Sequence, residues 1–533
     1  MSGNLFQIIA FFMSKQKYIL LLNINANDFG GISMKYSNPI IPGFYPDPSI
    51  CKANGKFYMV CSSFQYFPGV PLFESKDLVN WTQIGHVLTR DIQLPLKGQS
   101  VNGGIYAPTI RYNNGRFYMV TTNVGGMGNF YVWTDDIHGE WSDPILVEQG
   151  GIDPSLYFED GKAYFMSNGD DDDGVSGITQ CEIDIETGKK LTPSKCIYNG
   201  AGGRYIESPH LYKFGNEYYI MVAEGGTEYG HMVVYAKGPT PYGPFENYPH
   251  NPVLTNRNLG GYVIQGCGHG DLVEDNNGNV WMVHLGFRQI DRWLPFHITG
   301  REVYLVPVAF REDGWFEAGI NGITPIEIET DRIPDTVVQN HKTTENFANT
   351  ELGKDWVFLR NPDMNRYEFN SEYVRINPTP LTIDETDASP SFIAIRQKEM
   401  NGTISCTVAL TDGEAGLSMY MSEDHHYDFF IRKYDSSYQV VKRSCIGGVN
   451  CEQNIVETCA NEVDLEIRLT NCDYFFSCKT AEDSHDLGKL QTRYLSSEVA
   501  CGFTGVMIAL YAQSDVETEP VVFKNFEINY TAE

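Results

Sequence analysis

Positive charge is what this chain of 533 residues most lacks: 39 Lys and Arg stand against 68 Asp and Glu, a formal net charge of −29. Nucleic-acid backbones and anionic membranes recruit basic patches, so neither is an expected partner, and a neutral substrate fits better. Long apolar runs are missing too. Leu5 to Met13 and Tyr18 to Ile24 are interrupted by Ser14-Lys15-Gln16-Lys17, and neither is long enough to cross a bilayer. A secretion signal needs one continuous apolar region and a small-residue cleavage site, and Asn23 to Gly31 offers a poor one. Residues 1–33 therefore read as a disordered leader or an upstream mis-start before Met34. The expected location is cytoplasmic, with secretion the alternative if 1–33 is a leader peptide.

Several catalytic and metal signatures are absent as well. The twelve cysteines form no CxxC pair and no His stands at finger-like spacing, which argues against a structural zinc site. Free buried thiols are expected, although Cys445, Cys451, Cys459, Cys472 and Cys478 could pair in an oxidising compartment. No GxSxG and no HExxH occurs, excluding the commonest serine-hydrolase and zinc-protease arrangements. Asn123 to Asn129 is Gly-rich but neither opens a helix nor ends in Gly-Lys-Ser/Thr, so it is no phosphate loop. Asp170 to Asp173 lacks the alternating ligands and closing Glu of a calcium loop and reads as solvated.

What the chain does have is a repeat. Asp47-Pro48-Ser49-Ile50 leads through Gly55 into Lys56-Phe57-Tyr58-Met59-Val60, and Ala107-Pro108-Thr109-Ile110 through Gly115 into Arg116-Phe117-Tyr118-Met119-Val120. Asp153-Pro154-Ser155-Leu156, Ser208-Pro209-His210-Leu211 and the more divergent His269-Gly270-Asp271-Leu272 are each followed by a turn and a second apolar run. Each copy is a strand, a Gly or Asn turn and another strand. Spaced by roughly 40 to 60 residues, as propeller blades are, five such units predict an all-β, five-bladed propeller over 34–324.

The inner strand of each blade would run along the central axis. The residues three before the repeated Ile or Leu are Asp47, Ala107, Asp153, Ser208 and His269, with Glu207 one place earlier. Pro at the next position should hold Asp47 and Asp153 extended. Asp-Pro-Ser is also an ordinary turn sequence. Three carboxylates at matched positions point instead to function, because unpaired buried charge is costly. Residues 325–344 form a charged connector, and 345–533 carry alternating segments, such as Thr403 to Leu410 and Val463 to Leu469, that predict a β-sandwich.

Three longer stretches carry a family resemblance: Asn38 to Ile50, Phe67-Pro68-Gly69-Val70-Pro71 with Ser75 to Trp81, and Gly300-Arg301-Glu302. They resemble glycoside hydrolase family 43, in particular its β-xylosidases and α-L-arabinofuranosidases. The resemblance extends from Ser37 to the concanavalin-like C-terminal sandwich, where Phe503-Thr504-Gly505 matches. It implies an inverting, exo-acting enzyme with Asp47 as general base, Glu207 as general acid and Asp153 tuning and orienting that acid. By the same resemblance Arg301 contacts sugar hydroxyls, Phe503 helps close the pocket, and His269 stands where some members hold calcium through water. No cofactor is otherwise required, and a homo-oligomer is expected by analogy. Tyr66 and Tyr106 replace a common Trp, and Ser208 a common Gly. These changes imply a wetter or differently shaped pocket and a Ser208 hydroxyl able to bond Glu207.

The residue chemistry agrees. An inverting glycosidase needs an acid and a base carboxyl about 6.5 to 9.5 Å apart, and a propeller axis can provide that gap. A neighbouring carboxylate helps keep Glu207 protonated. Arg301 also admits a plainer reading as an inter-blade salt bridge. The expected substrate is a xylo-oligosaccharide losing its non-reducing-end xylose, or an arabinoxylan side chain losing α-L-arabinofuranose. A non-catalytic carbohydrate-binding propeller is the contrasting possibility. Glu207 sits one place off the other axial groups, so a local bulge or twist is predicted there to turn it toward the pocket.

Overall fold

The turn sequences explain why the repeats close as hairpins. Asn54-Gly55, Asn114-Gly115 and Asp160-Gly161 all have positive φ at both positions. Two-residue turns of that hand match the right-handed twist of the strands they join. In this computed structural model, which describes residues 34–334, 337–339, 343–347 and 352–531, every repeat forms a four-stranded antiparallel blade. The leader read at 1–33 lies outside the described residues.

Blade one comprises Ser49–Ala53, Lys56–Val60, Gly69–Ser75 and Trp81–Leu88. Blade two runs Thr109–Asn113, Arg116–Val124, Gly128–Thr134 and Ile145–Leu146, with Gly104–Ile105 added beside its second strand. Blades three, four and five begin with Ile152–Glu159, Glu207–Phe214 and Ile264–Glu274. The five inner strands touch in order and the last returns to the first, so the ring is closed. Second strands such as Lys56–Val60 are buried almost continuously instead of alternating, because neighbouring blades cover both of their faces.

Closure depends on the two ends of the repeat region. Met34–Ser37 pairs with Glu327–Thr330, and the Asn38 side chain exchanges hydrogen bonds with the backbone of Leu305 at 2.9 and 3.0 Å. The first residues of the predicted connector therefore belong to the propeller by strand pairing, past the boundary expected at 324.

The C-terminal region is a sandwich of two antiparallel sheets. One contains Val521–Tyr530, Gly402–Ala409, Glu462–Leu469 and Asp473–Lys479 among its eight strands, and the other six include Glu414–Ser422, His425–Tyr434 and Met507–Gln513. Their inner faces meet through contacts such as Phe429 against Phe476, with ring centroids 5.5 Å apart. Glu462–Leu469 alternates exposed and buried along its whole length, as a half-buried strand should.

Propeller and sandwich share one apolar core. Tyr58, Leu94, Ile105 and Phe130 lie in the same buried cluster as Val357's neighbours Trp356 and Phe358, and as Ile393 and Leu510. Tyr66–Phe67 pairs as a short strand with Phe358–Leu359. Two buried sandwich arginines cross the boundary: Arg360 donates to the Gln65 side chain at 3.0 Å, and Arg396 to the Phe44 carbonyl at 2.7 Å. The twelve cysteines are free thiols, seven of them buried.

Candidate active site

The axial groups owe their placement to a backbone feature that repeats with the sequence. Asp47, Asp153, Ser208 and His269 occupy the matched position and have φ of 56°, 53°, 57° and 51°. In blade four Glu207 pairs with Ala223 and His210 with Met221, leaving one extra residue on the inner strand; blade three does the same between Ile152 and Ser155. Blade five breaks register at Gln265/Gly268 and Gly268/Asp271. The bulge predicted at Glu207 is present, and it is shared with the neighbouring blades. The extended conformation expected of Asp47 and Asp153 is not: both lie in the left-handed region, which Asp tolerates better than most residues, Asp153 within its blade's bulge and Asp47 just ahead of the strand Ser49–Ala53. Pro154 and Pro209, which follow, have no N–H for the interrupted ladder to leave unpaired.

Asp47 is buried in a cationic setting. Arg301 Nη1 lies 2.7 Å from its Oδ1, His269 Nδ1 lies 3.6 Å from the same oxygen, and Ser62 Oγ donates to Oδ2 at 2.6 Å. Burial pushes this carboxyl up, but the Arg301 guanidinium, His269 and the Ser62 hydroxyl together hold it below the usual Asp value.

Glu207 shows the opposite balance. Burial first, then the negative charges of Asp153 and Asp47, drive it well above the ordinary Glu value, with Arg301 opposing. Asp153 is itself raised, by burial and then by Asp47 acting against His269. Its Oδ2 accepts the Ser208 backbone N–H at 3.1 Å, which ties Asp153 to the peptide carrying Glu207. The Ser208 hydroxyl completes no hydrogen bond, so the bond to Glu207 expected from sequence is replaced by this backbone one.

A cavity of about 530 Å³ opens in front of Glu207 and Arg301, with walls from both domains. The propeller contributes Tyr205, Thr227, Tyr229, Phe287 and His297, and the sandwich contributes Glu498 and Phe503. Glu498 fastens the two: its Oε1 takes hydrogen bonds from Tyr229 Oη at 2.9 Å and meets His297 Nδ1 at 2.8 Å, and its Oε2 accepts the His297 backbone N–H at 3.1 Å. The Phe503 carbonyl accepts from Arg301 Nη2 at 3.2 Å. Asp47 and Asp153 are joined to this cavity's lining by Arg301 and by the Glu207–Ser208 peptide.

The remaining candidates divide. Phe503 lines the cavity as expected, and Tyr106 lies edge-on to it, near enough to Asp47 and Asp153 to feel both charges. Arg301 lines the cavity and also makes the inter-blade pair with Asp47 that its plainer reading expected. Tyr66 is no pocket wall: it is fully buried among Phe44 and the sandwich residues Val357 and Leu359, because its short strand is used for the domain junction. Phe64 takes the place near the site, stacked on Phe503 at 6.2 Å. His269 likewise faces Asp47 and is not part of the cavity wall.

The groups around His269 do not form a direct protein cage for calcium. Among the described residues no group of three or more His, Cys, Asp or Glu is spaced for a metal. The Asp47 oxygens are engaged by Arg301 and Ser62, whereas calcium takes about six to eight oxygen ligands.

Ser62, His231, His297 and Glu498 were missed from sequence. None lies in the repeated tetrapeptide, and the rings of Phe287 and His231 that pack against Gly266 and Gly268 are visible only in the structure.

Comparison with known proteins identifies the family of both regions. The profile of glycosyl hydrolases family 43 matches residues 36–316, and that of the beta xylosidase C-terminal concanavalin A-like domain matches 344–529. The chain is 39% identical over 505 residues to the non-reducing end alpha-L-arabinofuranosidase BoGH43B of Bacteroides ovatus, covering 92% of this chain and 94% of that one. It is 37% identical over 508 residues to a xylosidase/arabinosidase of Butyrivibrio fibrisolvens, covering 90% and 96%. Among solved structures, the GH43B protein of the Bacteroides ovatus xyloglucan locus superposes with a TM-score of 0.86 at 37% identity, covering 94% of this chain and all of that one. The xylan beta-1,4-xylosidase of Bacillus halodurans superposes at 0.83 with 27% identity, covering 93% and 100%.

Proposed function

This chain belongs to glycosyl hydrolase family 43, and from that membership we propose that it is an inverting exo-glycosidase removing xylose from the non-reducing end of β-1,4-xylo-oligosaccharides. The observation carrying the proposal is the split between two carboxyls of one site, the buried Asp47 held down and the partly exposed Glu207 pushed up. One is ionised and one protonated over the same pH range, as an acid and base pair must be. Glu207 gives its proton to the glycosidic oxygen as the bond from that oxygen to the anomeric carbon breaks. Asp47 takes a proton from the water whose oxygen forms the new bond on the opposite face. Asp153 orients Glu207 through the Ser208 N–H and keeps it protonated by its charge. Arg301 holds Asp47 and lines the cavity where the sugar hydroxyls would lie. The sandwich wall at Glu498 and Phe503 narrows the cavity, which favours a chain end over an internal segment.

A second reading, release of α-L-arabinofuranose from arabinoxylan side chains, is favoured by the 39% identity to an arabinofuranosidase. A non-catalytic sugar-binding propeller leaves the opposed carboxyl shifts without a purpose. Activity on 4-nitrophenyl β-xyloside and α-L-arabinofuranoside, measured side by side, decides between the two sugars. NMR of the first product should show α-xylose from a β-xyloside; β-xylose appearing first would exclude inversion. Asp47→Ala should lower kcat by roughly 10²- to 10⁴-fold, the usual contribution of a general base, and wild-type turnover would remove Asp47 from that role.

A further inference from the structure

His231 is placed as if the site required it, yet no step above uses it. It opens the blade-four strand Met232–Gly238 and is fully buried, with its N–H bonded to the Glu228 carbonyl at 2.9 Å and its own carbonyl receiving the Thr255 hydroxyl at 2.8 Å. The ring packs flush on blade five: a Cβ at Gly268 would lie 1.8 Å from His231 Cδ2. Gly268 does not have a left-handed φ, so the requirement for glycine there is the space for this imidazole.

Neither ring nitrogen of His231 completes a hydrogen bond, though the Gly226 carbonyl is near enough to act on the ring. Such buried, unsatisfied groups are uncommon and ask for an explanation. Nδ1 lies 4.0 Å from Glu207 Oε1. No protein hydrogen bond to the Glu207 carboxyl is present among the described residues. Burial, together with the charges of His269 and Arg301, holds the ring neutral, with a pKa lowered to about 3. A neutral imidazole has one N–H and one lone pair. It can therefore pair with the protonated acid and, as an N–H donor, with the carboxylate formed when the proton leaves.

We infer that His231 is a positioning residue for Glu207, whose Nδ1 closes on the carboxyl when substrate fills the cavity and steers the acid toward the glycosidic oxygen. The inference rests on Glu207 being the general acid. It differs from a packing role in one measurable respect. A leaving group that departs without protonation should hardly notice the loss of His231.

The test compares xylobiose, whose sugar leaving group needs the acid, with 2,4-dinitrophenyl β-xyloside, whose phenolate does not; the corresponding α-L-arabinofuranosides serve if the enzyme prefers that sugar. His231→Phe fills the same space without nitrogen and should lose kcat/KM by roughly tenfold or more on the first substrate and under about threefold on the second, because only the first depends on the general acid. His231→Asn, which can put an amide near the Nδ1 position, should recover part of the loss. Equal losses on both substrates, or no loss on either, would overturn the inference. Gly268→Ala, which displaces the ring, should give the same selective loss and is read in its place if His231→Phe does not fold. Glu207→Gln provides the separate control. A selective loss for Glu207→Gln without one for the His231 variants sinks the inference alone, whereas an unselective Glu207→Gln sinks the acid assignment beneath it.

Discussion

At the scale of single residues, the site depends on three carboxyls given different tasks by their neighbours. Asp47 has the guanidinium, Glu207 has the other two carboxylates, and Asp153 has the backbone N–H of Ser208. A pH prediction follows from the signs. With Asp47 as the proposed base and Glu207 as the proposed acid, activity should fall on the acid side through the depressed Asp47 pKa and on the basic side through the raised Glu207 pKa. Asp153→Asn removes a negative charge that raises Glu207, so the basic limb of kcat/KM should move to lower pH. The acid limb should hold, because Arg301, His269 and Ser62 remain to stabilise the Asp47 carboxylate. A profile whose basic limb stays in place would deny Asp153 its tuning role. The residue types were legible from their matched positions in the repeat, but Ser208 was misread because an alternating strand does not reveal that a backbone N–H will do the work of a hydroxyl.

The elements that matter most are the five inner strands, and they are tied together below the catalytic groups. Asp271, on the blade-five strand, is fully buried and accepts from Arg111 of blade two at 2.8 and 3.1 Å, from Ser49 Oγ and the Ile50 N–H of blade one at 2.6 and 3.0 Å, and from Tyr212 of blade four at 2.6 Å. One carboxylate thus joins four blades. Asp271→Asn should destabilise the protein by roughly 3 kcal/mol, since removing one partner of a buried ion pair strands the other; the midpoint of urea unfolding measures it. An unchanged midpoint would mean the strands are held by packing alone. Sequence identified the strand containing Asp271 while giving no sign of this role. The partners come from positions 49, 111 and 212, and only ring closure brings them together.

For the whole molecule, the sandwich is part of the catalytic body. Its strands share a core with blades one and two, its arginines 360 and 396 enter the propeller, and its residues 498 and 503 wall the cavity. Removing residues 343–531 should leave a propeller with an uncovered apolar face that aggregates when expressed, and the intact chain should unfold in one cooperative transition by both calorimetry and tryptophan fluorescence. A soluble, active fragment ending before residue 343, or two separate transitions, would show independent domains.

The sequence alone determined the blade count, the hairpin turns and the matched line of Asp47, Asp153, Ser208 and His269, because these depend on local periodicity and on turn residues with positive φ. It also placed Glu207 one step off that line. The tertiary structure decided which side chains meet: Tyr66 went to the domain junction, Phe64 to the site, Arg301 onto Asp47 and His231 beside Glu207. Those outcomes are set by contacts between residues far apart in the chain, where burial and charge act through space and leave no periodic mark in the sequence.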